Sequence, residues 1–120
     1  FISRLKSGKL ILVNHDCAPK KEGEETFRKR EKMTAWLSDD EGKTWYGGLL
    51  LDERNSVSYP DGQQTENGTI YIIHDCERYK GGEMLVSMIT EDDIAAGKLV
   101  SPESRLLVLV SKTKGVPPKE

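Results

Sequence analysis

Three groups of residues in this 120-residue chain have types and spacings that could do chemistry. The first is a pair of runs, Asn14-His15-Asp16-Cys17 and Ile73-His74-Asp75-Cys76, whose His, Asp and Cys side chains are zinc ligands by type. Neither run has two ligands at a recognised metal spacing, and two cysteines without a Cys-x-x-Cys pair make no disulfide framework. They read instead as a repeated strand end with a period of about 59 residues. The second group is Arg28-Lys29-Arg30. A guanidinium is a planar fork that fits a carboxylate with two parallel charge-assisted hydrogen bonds, although a basic residue in a charged loop is more often simply solvated. The third is Tyr59, at the start of an apolar strand. A phenol, with a free pKa of about 10, becomes a nucleophile only beside a base, and a strand tyrosine is equally readable as a core residue.

Short extended segments must position these groups. Ile2 to Leu5, Lys9 to His15, Met33 to Ser38 and Gly48 to Leu51 read as strands. Val57 to Thr65, Thr69 to Asp75, Met84 to Thr90 and Leu106 to Val110 form a second set. Turns fall at Ser7-Gly8, Asp40 to Gly42, Asn67-Gly68 and Gly81-Gly82. Thr90, the acids that follow it and Gly97 carry the cap signals of a short helix.

The most specific turn is Ser38 to Trp45, which fits Ser-x-Asp-x-Gly-x-Thr-Trp at every specified position and reads as an Asp-box, the β-turn between two strands of a propeller blade. Ser38 and Asp40 are suited to accept from backbone N–H groups inside the turn, and Gly42 to supply a positive φ. Thr44 returns the chain to extended structure, and Trp45 is expected to bury its ring against the neighbouring strand. The expected fold is all-β: two four-stranded antiparallel blades, residues 1–52 and 56–111, with one short helix and a tail over 112–120. Antiparallel order puts the glycine turns and the Asp-box at one end. The charged loop 16–32, the link 52–58 and the loop 76–83 fall at the other, with His15, Asp16, Tyr59, His74 and Asp75 at the strand ends. Function is expected where the long polar loops converge.

Charge and hydropathy exclude several classes. A net charge of -2 with both signs interspersed lacks the basic excess of a nucleic-acid platform. The run from Lys20 to Lys32 alternates acids and bases and reads as a solvated loop. Apolar runs such as Leu106 to Val110 are strand-length, against the roughly 20 residues of a membrane-spanning helix. The chain opens at Phe1 in strand-like sequence with neither Met nor leader, and is expected to be part of a longer fold.

Together with the Asp-box, two further segments resemble the C-terminal portion of exo-sialidases (neuraminidases) and of related proteins with BNR repeats. Arg30 to Leu37, REKMTAWL, looks like the strand where that family carries the third arginine of its substrate-carboxylate triad. Ser58 to Asp75 is similar to the family stretch that begins with a nucleophilic tyrosine, passes an Asn/Asp-Gly turn and ends in an acid. The resemblance covers most of this chain and about a third of a six-bladed enzyme. It implies a retaining glycoside hydrolase that removes terminal sialic acid, or a related acidic sugar, from glycans without a cofactor. It leaves the compartment open, a secreted or periplasmic setting being compatible with it.

In that frame Arg30 holds the sugar carboxylate, Tyr59 attacks the anomeric carbon, Asp75 hydrogen-bonds the tyrosine or a substrate hydroxyl, and His15 and Asp16 line the pocket. A neutral phenol avoids the repulsion that a carboxylate nucleophile would meet beside the sugar's own carboxylate, which is why sialidases depart from the two-carboxylate rule. Trp36 and Trp45 read as packing residues. Pro60 stands where the family usually has serine and Asp75 where many members have glutamate, which leaves the sugar open. The acid/base aspartate, the glutamate partner and two further arginines have no counterpart here and are expected in upstream blades. The isolated chain is therefore expected to be inactive and to associate with those blades or with itself. Two alternatives stay open: a propeller hydrolase or lyase for another glycan, and a non-catalytic carbohydrate-binding propeller.

Overall fold

Alternating apolar positions broken by glycine turns give an all-β protein. In the computed structural model the described residues are 1–15, 31–55, 57–76 and 82–112. β1 (Ile2–Arg4), β2 (Leu10–His15), β3 (Glu31–Ser38) and β4 (Tyr46–Asn55) form one antiparallel sheet in sequence order. β5 (Val57–Gln64), β6 (Ile70–Cys76), β7 (Glu83–Ile89) and β8 (Arg105–Lys112) form a second of the same plan, with α1 (Glu91–Ala96) between β7 and β8. The tail expected over 112–120 lies outside the described residues beyond Lys112.

β4 runs past the expected end at Leu51. Its pairing with β3 continues through Met33↔Asp52 and Glu31↔Asn55, because β3 itself begins two residues before Met33 and offers partners there. Residues 52–55, expected to link two blades, therefore belong to the first sheet. A single apolar cluster joins the sheets, with Ile11, Val13 and Met33 from the first meeting Ile70, Ile72 and Leu85 from the second. Full burial of such side chains contributes about 1.5–3 kcal/mol each, so contact between sheets is the main stabilising term.

The helix ties the second sheet to the first. Thr90 caps α1 and Asp93 reciprocates, with its carboxylate accepting from Thr90 N at 2.8 Å. Burial pushes the Asp93 carboxyl up, but bonds from Ser104, Val100 N, Ser101 N and Thr90 N outweigh it and bring it down to about 2. The same carboxylate thereby fixes the connection into β8. α1 lies against β3 and β4, and Gly47 makes that approach possible: a Cβ there would stand 2.3 Å from the Ile94 carbonyl oxygen, at a φ of +88°.

The turn from Ser38 to Trp45 closes on its own side chains. Ser38 Oγ accepts from Gly42 N at 2.9 Å and donates to Asp40 Oδ1 at 2.8 Å. Asp40 accepts from Thr44 N at 2.8 Å and from Thr44 Oγ1 at 2.5 Å, which holds its carboxyl at about 2. Trp45 differs from expectation, since its ring is only half-buried and lies back over Gly42 of its own turn.

The two sheets repeat at 60 residues, not 59. Leu5 N donates to Lys9 O and Gly8 N to Leu5 O at 2.8 and 2.9 Å; Thr65 N donates to Thr69 O and Gly68 N to Thr65 O at 2.8 and 3.0 Å. One residue of offset reverses the face of a strand, so His15 and His74 are not equivalent despite their matching letters. His15 corresponds to Asp75, and His74 to Asn14.

Candidate functional site

β2, β4 and β6 end, and β5 and β7 begin, at the end of the molecule opposite the Ser38–Trp45 turn. His15, the last residue of β2, is half-buried, with Nε2 2.6 Å from the carbonyl oxygen of Val57. A carbonyl only accepts, so Nε2 carries the proton. That bond ties the first sheet to the start of β5, and Tyr59 follows two residues later.

Tyr59 stands in a β-bulge. Ser58 pairs with Asp75 and Asp61 with Ile73, so Tyr59 and Pro60 together oppose His74 alone. The extra residue takes a left-handed backbone, φ +54°, and the side chain is 58% exposed in this chain. Lys32 and Leu107 take similar backbone angles, also beside register shifts, so the conformation belongs to bulges in this fold. At Tyr59 it sits next to a proline, which removes a donor from the strand and disfavours helical backbone before it. Asp75, half-buried, lies across the strand pair from Ser58.

Beside this group is a polar clamp that the sequence did not announce. Asp52, buried at the end of β4, receives Arg54 in a two-pronged contact, Nε to Oδ1 at 3.0 Å and Nη2 to Oδ2 at 2.9 Å. Arg54 N adds a third bond at 3.1 Å, and His74 Nε2 on the second sheet donates to Oδ2 at 3.0 Å. Arg54 Nη1 reaches across to Glu83 at 3.0 Å. Burial pushes the Asp52 carboxyl up, but the bonds from Arg54 and His74 hold it below its ordinary value. Its bond to Asp52 raises Arg54 further still above its usual range. The guanidinium is already engaged by two carboxylates, so it acts as a strut between sheets and offers no free fork to a ligand. His74 Nδ1 is buried with no hydrogen-bond partner among the described residues.

Of the residues singled out in the sequence, His15, Tyr59 and Asp75 lie at this end of the sheets. Arg30 and Asp16 lie outside the described residues, as does Cys17. Trp36 is half-buried and donates from Nε1 to Asn14 Oδ1 at 3.0 Å. Asp52, Arg54 and Glu83 were missed; the only signal was Asp-x-Arg at the end of the apolar run Leu49 to Leu51.

Among the described residues no three His, Cys, Asp or Glu side chains cluster to hold a metal ion. No helix among them is long and apolar enough to cross a membrane. A cleft of about 30 Å³ between β1 and β5, lined by Phe1, Leu5, Ile11, Gln64 and Ile70, has room for about one water molecule. No protein-family model, curated protein or solved structure matches the chain.

Proposed function

We propose that this chain contributes two adjacent blades to a sialidase-like propeller, a retaining glycoside hydrolase for terminal sialic acid or a related acidic sugar. Tyr59 is its nucleophile and Arg30 its ligand for the sugar carboxylate. The observation that carries this reading is the setting of Tyr59: an exposed phenol on a bulged strand, at the same end as His15 and Asp75 and opposite the Asp-box. Bulges re-aim side chains beside active sites, and an exposed tyrosine at a strand end is poor packing but suitable chemistry.

In the reaction the phenolic oxygen, its proton taken by a base, bonds to the anomeric carbon while the glycosidic C–O bond breaks. The leaving oxygen takes a proton from an acid supplied by another blade. Water then displaces the tyrosine, and two inversions give net retention. Asp75 orients the phenol or a substrate hydroxyl. The Asp52–Arg54–His74 clamp keeps the two sheets in fixed relation, so that groups from both stay aligned.

The test is Tyr59→Phe in the full-length protein with a fluorogenic sialoside. Turnover should fall by several orders of magnitude, with substrate affinity nearly unchanged. Near-normal turnover would return Tyr59 to a structural role.

A further inference from the structure

We propose that Asn67 is a site of spontaneous covalent modification, at which the turn between β5 and β6 converts its own asparagine to a mixture of aspartate and isoaspartate. Asn67-Gly68 lies in the hairpin between Gln64 and Ile70, and Asn67 is exposed. Two donors converge on its side-chain oxygen. Thr69 N donates to Asn67 Oδ1 at 3.2 Å, and the Thr65 hydroxyl, 3.3 Å from Thr69 O, donates to the same Oδ1 over a shorter distance. A bond from the N–H two residues on folds the carboxamide over the intervening peptide, which brings Asn67 Cγ toward Gly68 N. Both donors draw electrons from Cγ and are placed for the negative charge that grows on Oδ1 when a nucleophile adds. Gly68, at φ +95°, has open space where a side chain would stand, so nothing there obstructs ring closure.

The reaction balances with water alone. Gly68 N loses its proton to hydroxide and bonds to Asn67 Cγ; the bond from Cγ to Nδ2 breaks, and Nδ2 leaves as ammonia with a proton from solvent. Water then opens the cyclic imide at either carbonyl. One opening leaves aspartate beside Glu66, and the other routes the main chain through Cγ and lengthens it by one carbon. Gly68 N donates to Thr65 O at 3.0 Å. That bond lies in the peptide plane while the nitrogen adds from its face, so it slows proton loss without blocking approach. The lengthened chain cannot keep that bond in register with Thr65 N to Thr69 O at 2.8 Å, so isoaspartate loosens the hairpin.

The corresponding turn of the first sheet shows that the fold needs no amide at this position. There Lys9 N donates to Ser7 Oγ at 3.3 Å and Gly8 takes φ +96°, so serine makes the same turn without an electrophilic carbon. The other two asparagines are less suited. Asn14 lies in β2, with its Oδ1 held by Trp36 Nε1 and His15 following; Asn55 precedes serine, and a side chain on the next residue hinders closure. The inference is independent of the sugar chemistry.

The folded 120-residue chain should be held for days in mildly alkaline buffer at physiological temperature, then digested and read by peptide mass spectrometry with an isoaspartate assay. The amide-to-acid mass change should appear on the peptide carrying Asn67 and on neither of the other asparagine peptides. Thr65→Val removes one donor and should slow conversion about fivefold, the factor for one neutral hydrogen bond, whereas Thr65→Ser should match wild type. In urea all three should convert at one rate, because the turn is gone. Asn67→Ser should stay folded by circular dichroism and show no change at this peptide. An Asn67 that stays intact in the folded chain, equal rates for folded wild type and Thr65→Val, or a Thr65→Val deficit that persists in urea overturns the proposal. Thr65→Ala is read in the same way should Thr65→Val fail to fold.

Discussion

Replacing Asp52 with alanine removes the acceptor for Arg54 N, Arg54 Nε, Arg54 Nη2 and His74 Nε2 at 3.1, 3.0, 2.9 and 3.0 Å. His74 is fully buried and would keep two unpartnered ring nitrogens. Breaking a buried charged contact from one side costs about 3–5 kcal/mol. Arg54 can still reach solvent and keeps Glu83, which puts the loss near the lower end, about 3 kcal/mol. For a domain of this size that is a fall in Tm of roughly 10 °C. Urea unfolding should be followed by tryptophan fluorescence. A loss below about 1 kcal/mol would refute the clamp as a stabilising strut. The pH dependence has a definite sign. A carboxyl held below its ordinary 3.8 contributes stability that is complete above the unfolded value and lost as pH falls through the folded one. The gap between wild type and Asp52→Asn should be level above about pH 5 and close on acidification below about pH 4. A gap that widens on acidification contradicts the assignment.

Gly47→Ala forces a Cβ against the Ile94 carbonyl at positive φ and should cost about 2–5 kcal/mol, measured by the same unfolding curves. A neutral effect there would mean that α1 does not seat on β4. Asp40→Ala should lower the melting temperature while leaving turnover of the full-length protein essentially unchanged, because the Ser38–Trp45 turn lies at the far end from Tyr59. Loss of turnover at unchanged Tm would show that the two ends have been assigned wrongly. Arg30→Lys keeps the charge and loses the fork; binding of an acidic sugar should weaken by about 1.5–3 kcal/mol in calorimetry, and unchanged affinity would remove Arg30 from the site.

The strands were legible because their signals are local. Period-two alternation in Ile70 to Cys76 and the glycines at 8, 42 and 68 mark elements without reference to anything distant. Thr90 and Gly97 mark the helix in the same way. The clamp was not legible because its bonds cross between sheets: Asp52 and His74 are 22 residues apart, and an Asp-x-Arg at a strand end looks like a solvated link. The bulge at Tyr59 was hidden for a related reason, since a proline in a strand signals an edge and leaves the register across it unspecified. The matching His-Asp-Cys letters misled by one residue, and one residue is enough to exchange the faces of a strand.

The proposed chemistry is tested most directly by trapping its covalent intermediate. The full-length protein should be treated with a fluorinated sialosyl fluoride, which forms a glycosyl–enzyme quickly and releases it slowly, then digested and read by peptide mass spectrometry. The expected result is one sugar adduct on the peptide carrying Tyr59, absent from Tyr59→Phe. An adduct on a carboxylate elsewhere, or full turnover of the reagent with none on Tyr59, would contradict the assignment of Tyr59 as the nucleophile.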